Sequence, residues 1–201
     1  TMLALLLATG AGTCLQAQEK LTQFKVRDAI TVRTPIMNDS INPKGEKYAD
    51  KDLLKTPVVL DLADAPFQVL STDTAGVLSF PKAEKDHSIY LLETSLRAER
   101  FMTGKLKVTS PARWEIFING ESKMSKENAE DSISGASTRE VNLRLEPEAD
   151  YEITIKLLSG SKDKAVPTLK CELIKDDKFK DITCFVSPEQ KKRFALPNTV
   201  Y

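Results

Sequence analysis

Apolar side chains in this sequence recur at every second position through most of its length. Tyr151, Ile153, Ile155 and Leu157 alternate with Glu152, Thr154 and Lys156. That is the period of a strand with one face on a core and one in water. Residues 88–98 repeat the pattern, with Tyr90, Leu92, Thr94, Leu96 and Ala98 on one face. Leu106 and Val108 alternate with lysines, Ser110-Pro111 interrupts, and Trp114, Ile116 and Ile118 then alternate with Glu115 and Phe117 as far as Asn119-Gly120. Asn-Gly between two extended runs predicts a β-hairpin, because a type I′ turn needs φ > 0 at both central residues. Its strands are expected at 113–118 and 121–125. Further strands are expected at 58–62, 67–70, 76–80, 101–109 and 138–146. Leu169, Cys171 and Leu173 are expected to pair with Ile182, Cys184 and Val186 in a last hairpin about Asp177-Lys178. Phe24/Val26 and Ile30/Val32 read as an edge strand or an extended arm.

Helical signals are few. A single turn is expected near Asp50, with Asp50 as its cap and Leu53-Leu54 facing inward. Ser187-Pro188-Glu189-Gln190 reads as the start of a short helix, with serine at the cap and proline in the first position. Roughly nine or ten short strands with turn signals about every 8–12 residues predict an all-β fold, an antiparallel β-sandwich or jelly roll. The charged residues that alternate with the apolar ones are expected on solvated exteriors.

Composition narrows the partners. Lys+Arg 29 and Asp+Glu 29 cancel among the 201 residues. Neither nucleic acid nor an anionic membrane would attract such a chain over long range. The apolar run at 2–8 is too short to span a bilayer. It is followed by Leu15-Gln16-Ala17, which reads as a secretory signal peptide over 1–17, truncated at its front and cleaved after Ala17. A lipoprotein reading would instead acylate Cys14. The expected organisation is therefore an N-terminal arm at 18–57, a sandwich at 58–186 and a linker at 187–201 toward a further domain downstream. The protein is expected to be exported, periplasmic or extracellular, with no membrane contact beyond the signal peptide.

Candidate chemistry is sparse. Cleavage after Ala17 leaves Cys171 and Cys184, an even pair of the kind that forms disulfides in exported proteins. In the expected hairpin they are equally distant from the turn, hence directly opposite and close enough to bridge. His87 is the only histidine. Its neighbours Asp86 and Ser88 point to the opposite face of a strand, so the three cannot face one another as a triad does, and a solvated turn histidine is expected. Ser159-Gly160-Ser161-Lys162 matches S-x-x-K in letters but sits in an expected loop. Glu127, Glu130 and Asp131 could hold a calcium ion through oxygen ligands, although their spacing fits no known loop pattern. Trp114 and Tyr90 could stack a sugar ring, yet both occupy inward strand positions and read as core aromatics. Asn119, Glu121 and Lys123 cluster at the hairpin tip, where turn geometry accounts for the asparagine. No catalytic, cofactor-binding or metal-binding residue is assigned, and no cofactor is expected.

Two resemblances extend this reading. The run from Trp114 to Glu121, followed by Leu143-Arg144-Leu145-Glu146-Pro147-Glu148-Ala149-Asp150-Tyr151-Glu152-Ile153-Thr154-Ile155, resembles the galactose-binding-like β-sandwich over residues 58–186. Ala149-Asp150 stands where that group usually has glycine. The layout as a whole is similar to the front of large exported peptidases of the prolyl oligopeptidase family in Gram-negative gut bacteria. The features that match are the leader, Asn42-Pro43-Lys44-Gly45-Glu46-Lys47, Thr109-Ser110-Pro111-Ala112-Arg113 and the exit segment 193–201. The resemblance implies a non-catalytic accessory domain that packs on or gates a serine peptidase body encoded downstream, and it carries over no catalytic residue to this chain. The competing expectation is a carbohydrate-binding module or a surface adhesion protein, whose ligand would be a carbohydrate or a peptide.

Overall fold

A computed structural model of the chain describes residues 18–27, 30–32, 41, 44–47, 49–55, 67–175 and 182–186. The elements are β1 (Gln18–Lys20), β2 (Gln23–Arg27), β3 (Ile30–Val32), α1 (Asp50–Lys55), β4 (Phe67–Ser71), β5 (Val77–Ser79) and β6 (His87–Ala98). They continue with β7 (Met102–Thr109), β8 (Arg113–Ile118), β9 (Glu121–Lys126), β10 (Thr138–Leu145), β11 (Asp150–Gly160), β12 (Thr168–Lys175) and β13 (Ile182–Phe185). The expected signal peptide, the strand at 58–62, the helix after Ser187 and the exit segment lie outside the described residues.

The strands form two antiparallel sheets. One runs β1-β12-β7-β10, with β5 also on β12; the other runs β4-β2-β6-β11-β8-β9, with β3 and β13 also on β6. The fold is an all-β antiparallel sandwich. Its core lies between the sheets and joins Trp114, Ile116, Ile153, Ile155, Leu157, Leu92 and Leu96 of one sheet to Leu106, Val108, Val141, Leu143, Leu169 and Leu173 of the other. Period-two alternation on each strand delivers these side chains to one side.

The Asn-Gly hairpin forms as expected. Asn119 and Gly120 have φ of 52° and 81°, and β8 pairs β9 with a bulge between Ile116 and Phe117. The Asn119 amide donates to the Glu152 carbonyl at 2.8 Å, and its side-chain oxygen accepts from the Glu152 amide at 2.9 Å. The turn residue therefore also ties the tip to β11.

The segment read as an edge strand or an extended arm forms strands of the sandwich: β1 lies at the edge of one sheet, and β2 and β3 join the other. Two expectations are corrected. The last two strands are not a hairpin. Cys171 pairs with Val108 in the five-stranded sheet, whereas Cys184 pairs with Leu96 in the eight-stranded sheet. No bond joins them, and both are thiols. Alternation identified both strands correctly but carries no information about which strand each one pairs with. Finally, β11 is not half exposed. It is buried on both faces from Ile153 to Gly160, because α1 packs on its outer side.

That packing explains why a six-residue helix exists here at all. So short a helix is unstable alone. Leu53 and Leu54 hold it by closing on Ile89, Leu91 and Leu158, a second small core on the outer face of the eight-stranded sheet. The first turn is closed by Asp52 rather than by the expected Asp50. The Asp52 carboxylate accepts from the Ala49 amide at 2.8 Å, while the Ala49 carbonyl accepts from the Asp52 amide at 2.9 Å. The Asp52 side chain thus supplies one half of a capping box, the other half being a backbone turn bond, and Asp50 is left to point at the sheet.

Candidate functional site

A cluster of partly buried charged side chains gathers where α1 meets the ends of β6, β8 and β11. Strand register makes the site. It sets His87 opposite Gly160, and Arg113 and Glu115 opposite Leu158 and Lys156. All of these positions face α1.

Asp50 is the hinge of the first cluster. One of its oxygens lies 3.1 Å from His87 Nε2, and the other pairs with the Arg113 guanidinium. Arg113 Nη1 also reaches both oxygens of Asp163 at 2.9 Å. Asp163 in turn accepts from the Gly160 amide at 2.7 Å. A Cβ at position 160 would stand 3.2 Å from His87 Cδ2 and 3.3 Å from Nε2, so the ring fits because residue 160 is glycine. The second cluster lies further along the same face. Glu115 accepts from Ser122 Oγ at 2.7 Å and from Lys55 Nζ at 3.1 Å, and Lys55 also reaches Ser125 Oγ at 3.2 Å. Lys156, paired with Glu115 in register, is buried. Burial brings its pKa down to about 8; the Glu115 charge opposes that fall and the Lys55 charge adds to it.

These clusters fasten a helix to a sheet. His87 is not the solvated turn residue expected. Its side chain is 16% exposed and its acid partner is Asp50, not Asp86. The imidazole hydrogen-bonds to that carboxylate, while its Nδ1 is buried without a partner. No hydroxyl or thiol is held to it, so the base-to-nucleophile contact of a triad is missing among the described residues. Ser159 continues β11 instead of opening a loop, and its hydroxyl is buried without a partner.

The remaining candidates are occupied within the fold. Trp114 is fully buried and Tyr90 nearly so. The Tyr90 hydroxyl donates to the Pro81 carbonyl at 2.7 Å, and its ring packs 4.8 Å from Phe80. Both are core aromatics. Glu121 and Lys123 pair with each other at 2.6 Å. Glu130 accepts from Lys126 at 2.9 Å and from the Ser137 amide at 2.8 Å. Burial works to raise its pKa, but these bonds outweigh it and leave the carboxyl below its ordinary value. Asp131 pairs with Lys164. Among the described residues no group of three His, Cys, Asp or Glu side chains is placed to hold a metal ion. Cys171 is buried, and burial pushes its thiol pKa far up, which makes it inert. Sequence reasoning missed Lys126, a buried lysine that donates to the Ser110 and Ala112 carbonyls at 2.6 and 3.3 Å and so anchors the 127–137 loop. The only cue to its place was its position closing a strand beside Ser110-Pro111.

No family model matches the sequence, and no curated protein matches it. Among solved structures the chain is similar to a β-glucosidase from Kluyveromyces marxianus in complex with glucose, at 12% identity and a TM-score of 0.43 over 78% of this chain. It spans 16% of that enzyme's chain. It is also similar to the PA14 sugar-binding domain from an RTX adhesin, at 12% identity and a TM-score of 0.41 over 81% of this chain and 95% of that one. A family 35 carbohydrate-binding module from an environmental isolate matches at 11% identity and a TM-score of 0.37, over 55% of this chain and 79% of that one.

Proposed function

We propose that this sandwich is a non-catalytic accessory domain of an exported protein, packing on or gating a larger body of the same polypeptide. The sequence resemblance gives the finer reading, in which that body is a serine peptidase of the prolyl oligopeptidase type. The supporting observation is the state of His87. The imidazole is committed to Asp50 and helps to clamp α1, and among the described residues it faces no nucleophile. A domain whose lone imidazole serves as a fastener contributes surface and shape, not turnover.

A second reading, a carbohydrate-binding module, has one observation in its favour. Phe101 is 41% exposed at a loop end of the sandwich, and the Arg144 guanidinium lies 5.1 Å from its ring centre. An exposed ring beside a hydrogen-bond donor suits the apolar face and hydroxyls of a sugar. Two measurements on the purified 201-residue chain separate the readings. Incubation with chromogenic prolyl peptides is expected to give no hydrolysis, and turnover abolished by His87→Gln would overturn the accessory role. A glycan array is expected to show no binding; clear binding lost in Phe101→Ala would establish the second reading instead.

A further inference from the structure

We propose that β10 is the seam of a weak two-fold dimer in which the five-stranded sheets of two copies of this chain join edge to edge. β10 pairs with β7 from Thr138 to Leu145 without a register shift. Its far edge carries no strand among the described residues. An open, regular edge is a template for another strand, and proteins usually blunt it. One end strand of the other sheet is blunted in this way: β9 is bulged and carries Lys123 at the bulge. β10 has no bulge, glycine or proline.

The side chains of β10 fit a second copy of themselves. Thr138, Glu140, Asn142 and Arg144 are exposed on the outer face; on the inner face Val141, Leu143 and Leu145 are buried and only Arg139, near the start of the strand, is exposed. Antiparallel self-pairing that keeps each face intact must be centred on a residue. Centred on Asn142, it sets Glu140 opposite Arg144 twice, Asn142 opposite itself, and Val141 opposite Leu143 beneath them. Centred on Val141, it sets Glu140 opposite Asn142 and Thr138 opposite Arg144 and forms no opposite-charge pair; both registers place Arg139 beside an inner-face leucine, Leu143 here and Leu145 in the register centred on Asn142. Centred on Leu143, it brings Glu140 against Glu146, a like-charge contact. Opposite charges directly across a strand pair stabilise and like charges destabilise, so the sequence of β10 selects the Asn142 register. Within one copy Glu140 pairs with Lys105 and Arg144 with Glu146, but these side chains are 41–74% exposed. Such pairs are worth little, and exchanging them costs little. The seam is short, which places the dimer among micromolar, transient associations. This inference does not depend on which function the sandwich serves.

Sedimentation of the full chain from low to upper micromolar concentration is expected to show a reversible monomer–dimer equilibrium. Glu140→Arg is expected to weaken it about tenfold, and adding Arg144→Glu is expected to restore it, a rescue that mere damage to the fold would not give. Under mild oxidation Asn142→Cys is expected to yield a covalent dimer, since residues directly opposite bring their Cβ atoms within disulfide range. Thr138→Cys, which faces Glu146 in this register, is expected to remain monomeric on the same gel. A wild-type chain that stays monomeric throughout, or equal cross-linking of the two cysteine variants, would overturn the proposal.

Discussion

The outer faces of the two sheets are built from the same kind of sequence and end in opposite environments. On the five-stranded sheet, Lys105–Glu140, Lys107–Glu172 and Lys170–Glu172 form a ladder at 2.7, 3.6 and 2.5 Å. Its lysines are 30–52% exposed. Two of them share the nearly buried Glu172 carboxylate, while Lys105–Glu140 is exposed on both sides, screened by solvent, and contributes little. On the eight-stranded sheet, Glu115, Lys156 and Arg113 also alternate with core residues, but α1 lies over them. Glu115 and Lys156 are almost fully buried; the Glu115 charge is compensated by Lys156, by Lys55 and by the Ser122 hydroxyl, and the Lys156 charge by Glu115 against the repulsion of Lys55. One helix thus converts a solvated ion row into a set of contacts where losing a partner is expensive.

The contrast can be broken most severely at Glu115. Glu115→Gln removes the opposite charge beside the buried Lys156 ammonium and is expected to cost about 3–5 kcal/mol in urea unfolding. Lys156→Met removes the charge along with the need for it and is expected to cost much less. Equal losses from the two variants would mean that the face is not electrostatically dry. Next in size is Leu54→Ala, which empties the second core and is expected to cost about 3 kcal/mol. It should also raise amide exchange in β11 around Lys156, which an independent helix would leave unchanged.

A smaller effect follows from pH. The unfolded chain keeps the Lys156 proton to the ordinary lysine value of 10.5, and the folded chain releases it near 8. Between these values the unfolded state binds more protons, so stability rises with pH. From pH 8 to 9 the rise is expected to be about 1 kcal/mol and to vanish in Lys156→Met. Above the ordinary thiol value of 9.0 the buried Cys171 acts in the opposite sense, so the lower window is the diagnostic one. The smallest effect belongs to the other sheet. A double-mutant cycle on Lys105 and Glu140 is expected to give a coupling below about 1 kcal/mol that fades in high salt. A larger, salt-resistant value would erase the distinction between the faces.

How much of this was legible depends on whether the cause is local. The Asn119-Gly120 turn was readable because its geometry is set by two adjacent residues. The strands were readable because alternation is a property of each strand alone. The partners of β12 and β13 were not, because nothing in Leu169–Cys171–Leu173 or Ile182–Cys184–Val186 says which sheet each will join. Lys156 read as solvent-facing for a related reason: the pattern identifies a second face but not what covers it. Leu53-Leu54 was the available cue, an inward-facing pair on a helix too short to have a core of its own. The His87 site was hidden further still, since its acid stands 37 positions away and its neighbour Asp86 offered a false one.

The far edge of β6 has one more consequence. It is shared by β3 at His87 to Ile89, by β2 at Leu92 and Glu93, and by β13 at Ser95 to Ala98. That single strand waits on segments made both early and late in synthesis. Loop closure over such separations is slow. On the ribosome, then, β6 should stay unzipped at Ser95 to Ala98 until Ile182–Phe185 has emerged, leaving Leu96 within reach of chaperones until then.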